Sequence, residues 1–175
     1  LKLSRYEHTL GVAETAALLG RMYAADPYRC ELAGILHDCA KCYNNEEIIR
    51  LCEENRISLT KDEITSPQLI HAKYGAFVAR SEFGIDDREV LNAIRWHTTG
   101  RPGMTLLEKI VFVSDYIEPH RDKAENLNFL RKTAFTDIDK CTASILSDTI
   151  KYLQSIGSEI GSDSILTYEY YRKFL

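Results

Sequence analysis

The residues that could do chemistry are few and spread along the chain. Of five histidines, His8, His37, His71 and His97 fall on the inward face or at the inner end of an expected helix. Asp38 follows His37 directly, and Asp115 sits inside the apolar run from Leu106 to Ile117. A charged Asp there is costly unless it is paired or bound to a cation. Neutral imidazoles and ionised carboxylates converging in a helical core would suit a first-row metal such as iron, manganese, cobalt, nickel or zinc, with no thiolate needed. Singly, an inward His is more often a hydrogen-bonded core residue. Six such groups on separate helices make a stronger case. Such a metal lowers the pKa of water, roughly from 15.7 to about 7 in a favourable zinc case, and holds phosphate oxygens.

Around these six lie groups that could meet a phosphate. Lys41 stands one turn after His37, at the rim of the expected metal site. Thr98, Thr99 and Gly100 follow His97: two hydroxyls and a glycine that lets backbone approach, as in a phosphate loop, or only a turn after a helix. Arg101 and Arg121 could clamp phosphate bidentately, although surface arginines are common. The segment Ser66 to Ile70 and the neighbourhood of His120-Arg121 are candidate seats for a nucleoside. Glu118 could order a metal-bound water or a substrate hydroxyl, or cap a helix end. Cys39 and Cys42 form a C-x-x-C, but no second pair or βαβ context supports it, so incidental cysteines are favoured. His120 is read as a solvent-facing loop residue.

The elements that must position these groups all read as helices. The first is expected over Ser4–Ala24, with Val12, Ala16, Leu19 and Tyr23 inward and His8 on the same face. A second starts at Asp26-Pro27, a cap followed by a proline at the first helical position, and carries Leu32, Ile35 and Leu36 to His37. A third follows Asn44, with Glu47 at capping-box spacing. Ser66-Pro67 opens the helix of His71, and Asp86 with Glu89 that of His97. Thr105 and Glu108 form a capping box before Leu106–Ile117, apolar nearly all round and therefore central. A long helix over Asp137–Ile156 stops at Gly157, and a short Tyr-rich helix closes the chain from Ser164. No period-2 strand, hairpin signal, repeat or linker appears, so one all-α domain is expected over residues 1–175.

Composition excludes several classes. With 45% hydrophobic and 27% charged residues, the 175-residue chain is not a disordered tail. A net charge of −4 leaves no global basic field, so nucleic acid is not the expected partner. No apolar run approaches the ~20 residues that span a bilayer, and Leu1–His8 lacks a signal-peptide core. Five cysteines without paired spacing point to a reducing, cytoplasmic setting. The Tyr-rich tail and helical surfaces could support a homodimer, with no firm sign.

The order H…HD…H…H…D is that of the HD-domain superfamily. The match extends to Arg5-Tyr6-Glu7-His8-Thr9-Leu10, Leu36-His37-Asp38-Cys39-Ala40-Lys41, Ile70-His71-Ala72, His97-Thr98-Thr99-Gly100-Arg101-Pro102 and Ser114-Asp115-Tyr116-Ile117-Glu118-Pro119 with Arg121. Together these segments resemble the YqeK-type family of HD-domain symmetrical bis(5′-nucleosyl)-tetraphosphatases, from Leu3 to about Leu153. The resemblance implies an HD helical bundle with a dinuclear metal site in a cleft between helices. One metal would be held by His8, His37, Asp38 and Asp115, the other by His71 and His97, with Asp38 bridging. It implies iron, with manganese or another divalent first-row metal as the alternative. The implied substrate is a small nucleotide, diadenosine tetraphosphate, cleaved to two ADP with Asp38 and Lys41 as the catalytic pair. Cys39 departs from the aliphatic residue expected there and could add redox sensitivity beside the site. The rivals are an HD nucleotidase or phosphodiesterase acting on mononucleotides or cyclic nucleotides, and a non-catalytic nucleotide sensor. The sensor is disfavoured because all six ligand positions are filled.

Overall fold

The computed structural model describes residues 2–175; Leu1, part of the expected domain, lies outside them. Among the described residues the regular structure is helical: α1 Leu3–Met22, α2 Pro27–Leu36, α3 Asn45–Glu54, α4 Lys61–Thr65, α5 Ile70–Ser81, α6 Arg88–Trp96, α7 Leu106–Ile117, α8 Leu127–Ala134, α9 Ile138–Ser155 and α10 Ser162–Tyr171. Short 3-10 turns precede α5 and follow α10. None of these helices is long and apolar enough to cross a membrane.

Local chemistry accounts for most of the boundaries. Asp26, Asn44 and Asp137 each cap a helix by accepting a backbone N–H, and Thr105 with Glu108 forms a reciprocal capping box before α7. The helix of His97 starts one residue later than expected, because Asp87 rather than Asp86 accepts the N–H groups of Glu89 and Val90. Ser66 offers no side-chain cap, and the Ser66-Pro67 segment makes a 3-10 turn before α5. Two helices lie outside the expected set. One is α4, started by a capping box of Thr60 and Glu63. The other is α8, which follows Asn126 in the left-handed region without a side-chain cap.

The long apolar helix is the axis of the bundle. Ile110, Val111 and Val113 of α7 are fully buried, and α1, α2, α6, α8 and α9 all pack on it. Each such side chain contributes about 1.5–3 kcal/mol on burial, which offsets the cost of carrying Asp115 on the same helix. A smaller core beneath α3 and α5 gathers Ala40, Ile48, Cys52, Ile70, Tyr74 and Val78. Ile35, expected inward, is 44% exposed; the inward face of α2 is instead Cys30, Ala33, Gly34 and Leu36.

The α1–α2 pair sets the site's position. A tight connection returns the chain antiparallel, so His8 near the start of α1 and His37 just after α2 lie at the same end. Gly34 makes the crossing close: a Cβ there would stand 2.8 Å from the Ala13 Cα.

Candidate metal centre

Each of the four imidazoles is oriented through its Nδ1. His37 and His97 occupy the C-cap positions of α2 and α6, where helix carbonyls lack partners. Their Nδ1–H groups donate to the carbonyls of Gly34 at 2.6 Å and Ile94 at 2.8 Å. His71, in the first turn of α5, donates likewise to the Gln68 carbonyl at 2.6 Å. His8 donates to the Glu118 carboxylate at 3.1 Å. A carbonyl or carboxylate oxygen can only accept, so each Nδ1 carries a proton and, in the neutral ring, each Nε2 presents a lone pair.

Those lone pairs converge. The His8 and His37 Nε2 atoms lie 3.3 Å apart, and those of His71 and His97 lie 3.1 Å apart. Asp38, buried, points one oxygen at each pair. Its Oδ2 is 3.4 Å from His37 Nε2 and 3.9 Å from His8 Nε2. Its Oδ1 is 3.4 Å from His71 Nε2 and 3.3 Å from His97 Nε2. Asp115 completes the first group, with Oδ1 3.1 Å from His8 Nε2 and 3.9 Å from His37 Nε2. Asp38 Oδ1 is buried and has no hydrogen-bond partner. Acceptors gathered at these distances around an orphaned carboxylate oxygen repel one another unless a cation lies among them, so the residues fit a metal centre.

The titration directions divide between the carboxylates and the imidazoles. Burial alone would raise the Asp38 carboxyl, but the facing His37 and His97 imidazoles outweigh it and hold the group well below the usual carboxylate range. Asp115 is likewise lowered, burial being overcome by the hydrogen bond with His8 and the charges around it. His8 is raised, chiefly by Asp115 and against burial. His71 is pushed down to about 3 by burial, then by His97 and Lys41, which keeps its ring neutral. Anionic carboxylates and a neutral His71 are forms a first-row cation takes, whereas the raised His8 gives up a proton on binding one.

The centre opens into a cleft of about 990 Å³, near the upper end of the ~300–1,000 Å³ usual for small-molecule sites. Its lining includes His8, Asp38, Lys41, Glu118 and Arg121, the basic Arg5, Lys123 and Lys151, the acidic Asp122, Glu125 and Asp148, and the aromatic Tyr116 and Tyr152. Lys41 Nζ lies 2.8 Å from Asp38 Oδ2. Arg121 lines the same cleft, but its guanidinium donates to the Asp115 carbonyl at 2.8 and 3.1 Å and to Asp115 Oδ1 at 3.1 Å, so it first holds a ligand residue in place. The Thr98 hydroxyl stands 3.3 Å from His71 Nε2 and 3.1 Å from His97 Nε2, on the other side of the centre.

Other expected contacts lie elsewhere. Arg101 forms a bidentate pair with the buried Glu108, at 2.9 to 3.2 Å, and does not line the cleft. Thr99 is buried and donates to the Gly100 carbonyl. Gly100 has φ +64, and a Cβ there would meet Thr167 at 2.8 Å, so its freedom serves the turn and the docking of α10. Ile70 is fully buried in the smaller core, and Ser66 lies in the turn before α5; neither lines the cleft. Cys39 and Cys42 are free thiols that donate to the carbonyls of Gly75 and Cys39 respectively. Burial first pushes the Cys39 thiol up to about 12, which leaves it a poor ligand. His120 is exposed on its loop, as expected. Two groups gain roles that spacing did not announce: Glu118 as partner of His8, and Tyr116 and Tyr152 as aromatic walls.

An all-helical bundle in which four imidazoles and two carboxylates converge, with His8 and Asp38 reaching a cleft, defines a class of helical metal-dependent hydrolase. The HD domain family pattern matches residues 5–120, and the chain belongs to that family. It is 44% identical to a symmetrical bis(5′-nucleosyl)-tetraphosphatase of Halalkalibacterium halodurans, over 94% of this chain and 87% of the relative. It is 38% identical to the protein of that name from Bacillus subtilis, over 95% and 88% of the two chains. A crystal structure from Clostridium acetobutylicum, described as a predicted HD superfamily hydrolase involved in NAD metabolism, superposes with a TM-score of 0.95 at 39% identity. That match covers 99% of this chain and 91% of the other.

Proposed function

We propose that this chain hydrolyses dinucleoside tetraphosphates symmetrically, diadenosine tetraphosphate to two ADP, at a dinuclear centre filled by iron or, failing that, manganese. The observation that carries the reaction class is the Asp38 carboxylate, whose two oxygens face two separate pairs of imidazole lone pairs beneath an open cleft. The substrate follows from the relatives, which carry the tetraphosphatase name at 38% and 44% identity over nearly their whole length.

His8, His37, Asp38 and Asp115 would hold one metal, and His71, His97 and the other oxygen of Asp38 the second. The first half collects four donors, two of them anionic, and fills first; the second has two neutral imidazoles and a shared carboxylate. Bound there, the metals would bring the pKa of water toward neutrality and neutralise phosphate charge. The chain's own groups do the rest. Asp38 organises both halves. Lys41 faces the cleft and offsets the charge of the phosphate or of the departing nucleoside diphosphate. Thr98 places a hydroxyl at the far pair, where it can orient a phosphate oxygen. Tyr116 and Tyr152 supply apolar faces for a nucleoside, and Arg5, Lys123 and Lys151, set against Asp122, Glu125 and Asp148 in the same lining, are the further cations that can meet polyphosphate charge.

A substrate panel on metal-loaded protein tests this reading. Dinucleoside tetraphosphates should be turned over well ahead of nucleoside monophosphates and cyclic nucleotides. A clear preference for a mononucleotide would replace the assignment with that of a nucleotidase, and binding without turnover would make the protein a sensor.

A further inference from the structure

We propose that Glu118 is a positioning residue of the metal centre: its carboxylate fixes His8 from behind and makes that imidazole a stronger metal donor than the other three. The proposal rests on the metal centre proposed above.

His37, His71 and His97 are each oriented by a carbonyl three residues earlier. His8 alone is oriented by a carboxylate, from a residue 110 positions away in sequence. That residue is only 2% exposed. Both of its oxygens are occupied: Oε1 takes the His8 Nδ1–H at 3.1 Å, and Oε2 accepts the His120 backbone N–H at 2.7 Å. The backbone that carries it is clamped as well. Arg131 of α8 donates to the carbonyls of Ile117, Glu118 and Arg121 at 2.8 to 2.9 Å, fastening the turn after α7. A carboxylate behind an imidazole raises its basicity as a ligand beyond what a neutral carbonyl does.

Gly11 is the second, independent sign. A glycine inside a helix costs stability relative to alanine and calls for a reason. Here a Cβ at position 11 would stand 2.5 Å from Glu118 Oε2 and 3.2 Å from the His120 ring. One turn beyond His8, α1 is thus kept bare where the carboxylate must fit. Asp115, three residues before Glu118, faces the other nitrogen of the same ring. Both nitrogens of His8 are therefore faced by one stretch of chain, the end of α7.

The test uses two variants, Glu118→Gln and Gly11→Ala. The first removes the charge with little change of shape; the second leaves every ionisable group in place and pushes the carboxylate aside. Metal affinity is read by chelator competition with Co2+ and Mn2+, the ligand field by the visible spectrum of the Co2+ protein, and the fold by thermal unfolding in chelator. Both variants should bind the first metal about 10–100-fold more weakly, with a changed Co2+ spectrum and a chelated protein that still unfolds cooperatively. Wild-type affinity and spectrum in both variants would overturn the role of Glu118 and leave the metal reading intact. Weakening fully explained by unfolding of the chelated variants would also overturn it. A wild-type protein that takes up no metal would overturn both.

Discussion

Lys41 and Arg121 show how two cations in one cleft can have different duties. Arg121 is committed by three hydrogen bonds to the carbonyl and carboxylate of Asp115, whereas Lys41 makes a single ion pair, with Asp38. Lys41→Ala should therefore lower kcat by roughly 10²-fold, the scale of one lost electrostatic donor, with metal content unchanged. Metal analysis beside turnover checks this; joint loss of both would make Lys41 a structural partner of Asp38. At this scale the convergence of His8, His37, Asp38, His71, His97 and Asp115 was legible in the sequence, through inward periodicity, an Asp in an apolar helix and the H…HD…H…H…D order. Arg101 was not. Its basic side chain next to Thr-Thr-Gly suggested phosphate, but Glu108 serves both as capping-box acid and as its ion-pair partner, and that double role follows from packing. Glu118 was legible only as a nearby acid, because its partner His8 lies at the other end of the family segment.

At the scale of elements, the close α1–α2 crossing is what sets His8 beside His37. Gly34→Ala would drive a methyl against backbone of α1 rather than against a flexible side chain. The expected cost is about 1–3 kcal/mol of stability, with weaker metal binding because the two imidazoles separate. Thermal unfolding and metal titration on the same variant check this, and a wild-type result in both would remove the crossing from the account. Caps were the most readable feature of the elements: Asp26, Asn44 and Thr105 each start a helix as their chemistry dictates, and Asp137, expected as the first residue of α9, is its cap. The same chemistry starts α4 at Thr60, but its five residues carry no apolar stripe to reveal them. The start of α8 offered no capping side chain, since Asn126 acts through left-handed backbone alone.

Across the whole molecule, Glu63 ties together the segments that flank the far side of the centre. Buried on α4, it pairs with Lys73 of α5 and with Arg95 of α6 at 3.0 Å, and accepts the Thr60 N–H at 2.8 Å. Burial pushes its pKa up, but Lys73, Thr60 and Arg95 prevail and hold it below the usual 4.5. A carboxyl lowered in the folded state contributes stability above its unfolded pKa and loses it as pH falls through the folded value. Wild type should thus lose stability on acidification below about pH 4.5, and Glu63→Gln, less stable at neutral pH, should show a flatter acid limb. Denaturant unfolding across pH 3–7 measures both curves, and parallel acid limbs would contradict the assignment. The bundle that results sets the six converging residues beside a cleft, and the symmetrical cleavage proposed for this chain requires the tetraphosphate to be cut at its centre. Product analysis tests this most directly, using iron-loaded protein prepared without oxygen, diadenosine tetraphosphate, and a His37→Ala control. The account predicts ADP as the sole nucleotide product and a dead variant; intact substrate, or ATP with AMP, would contradict it.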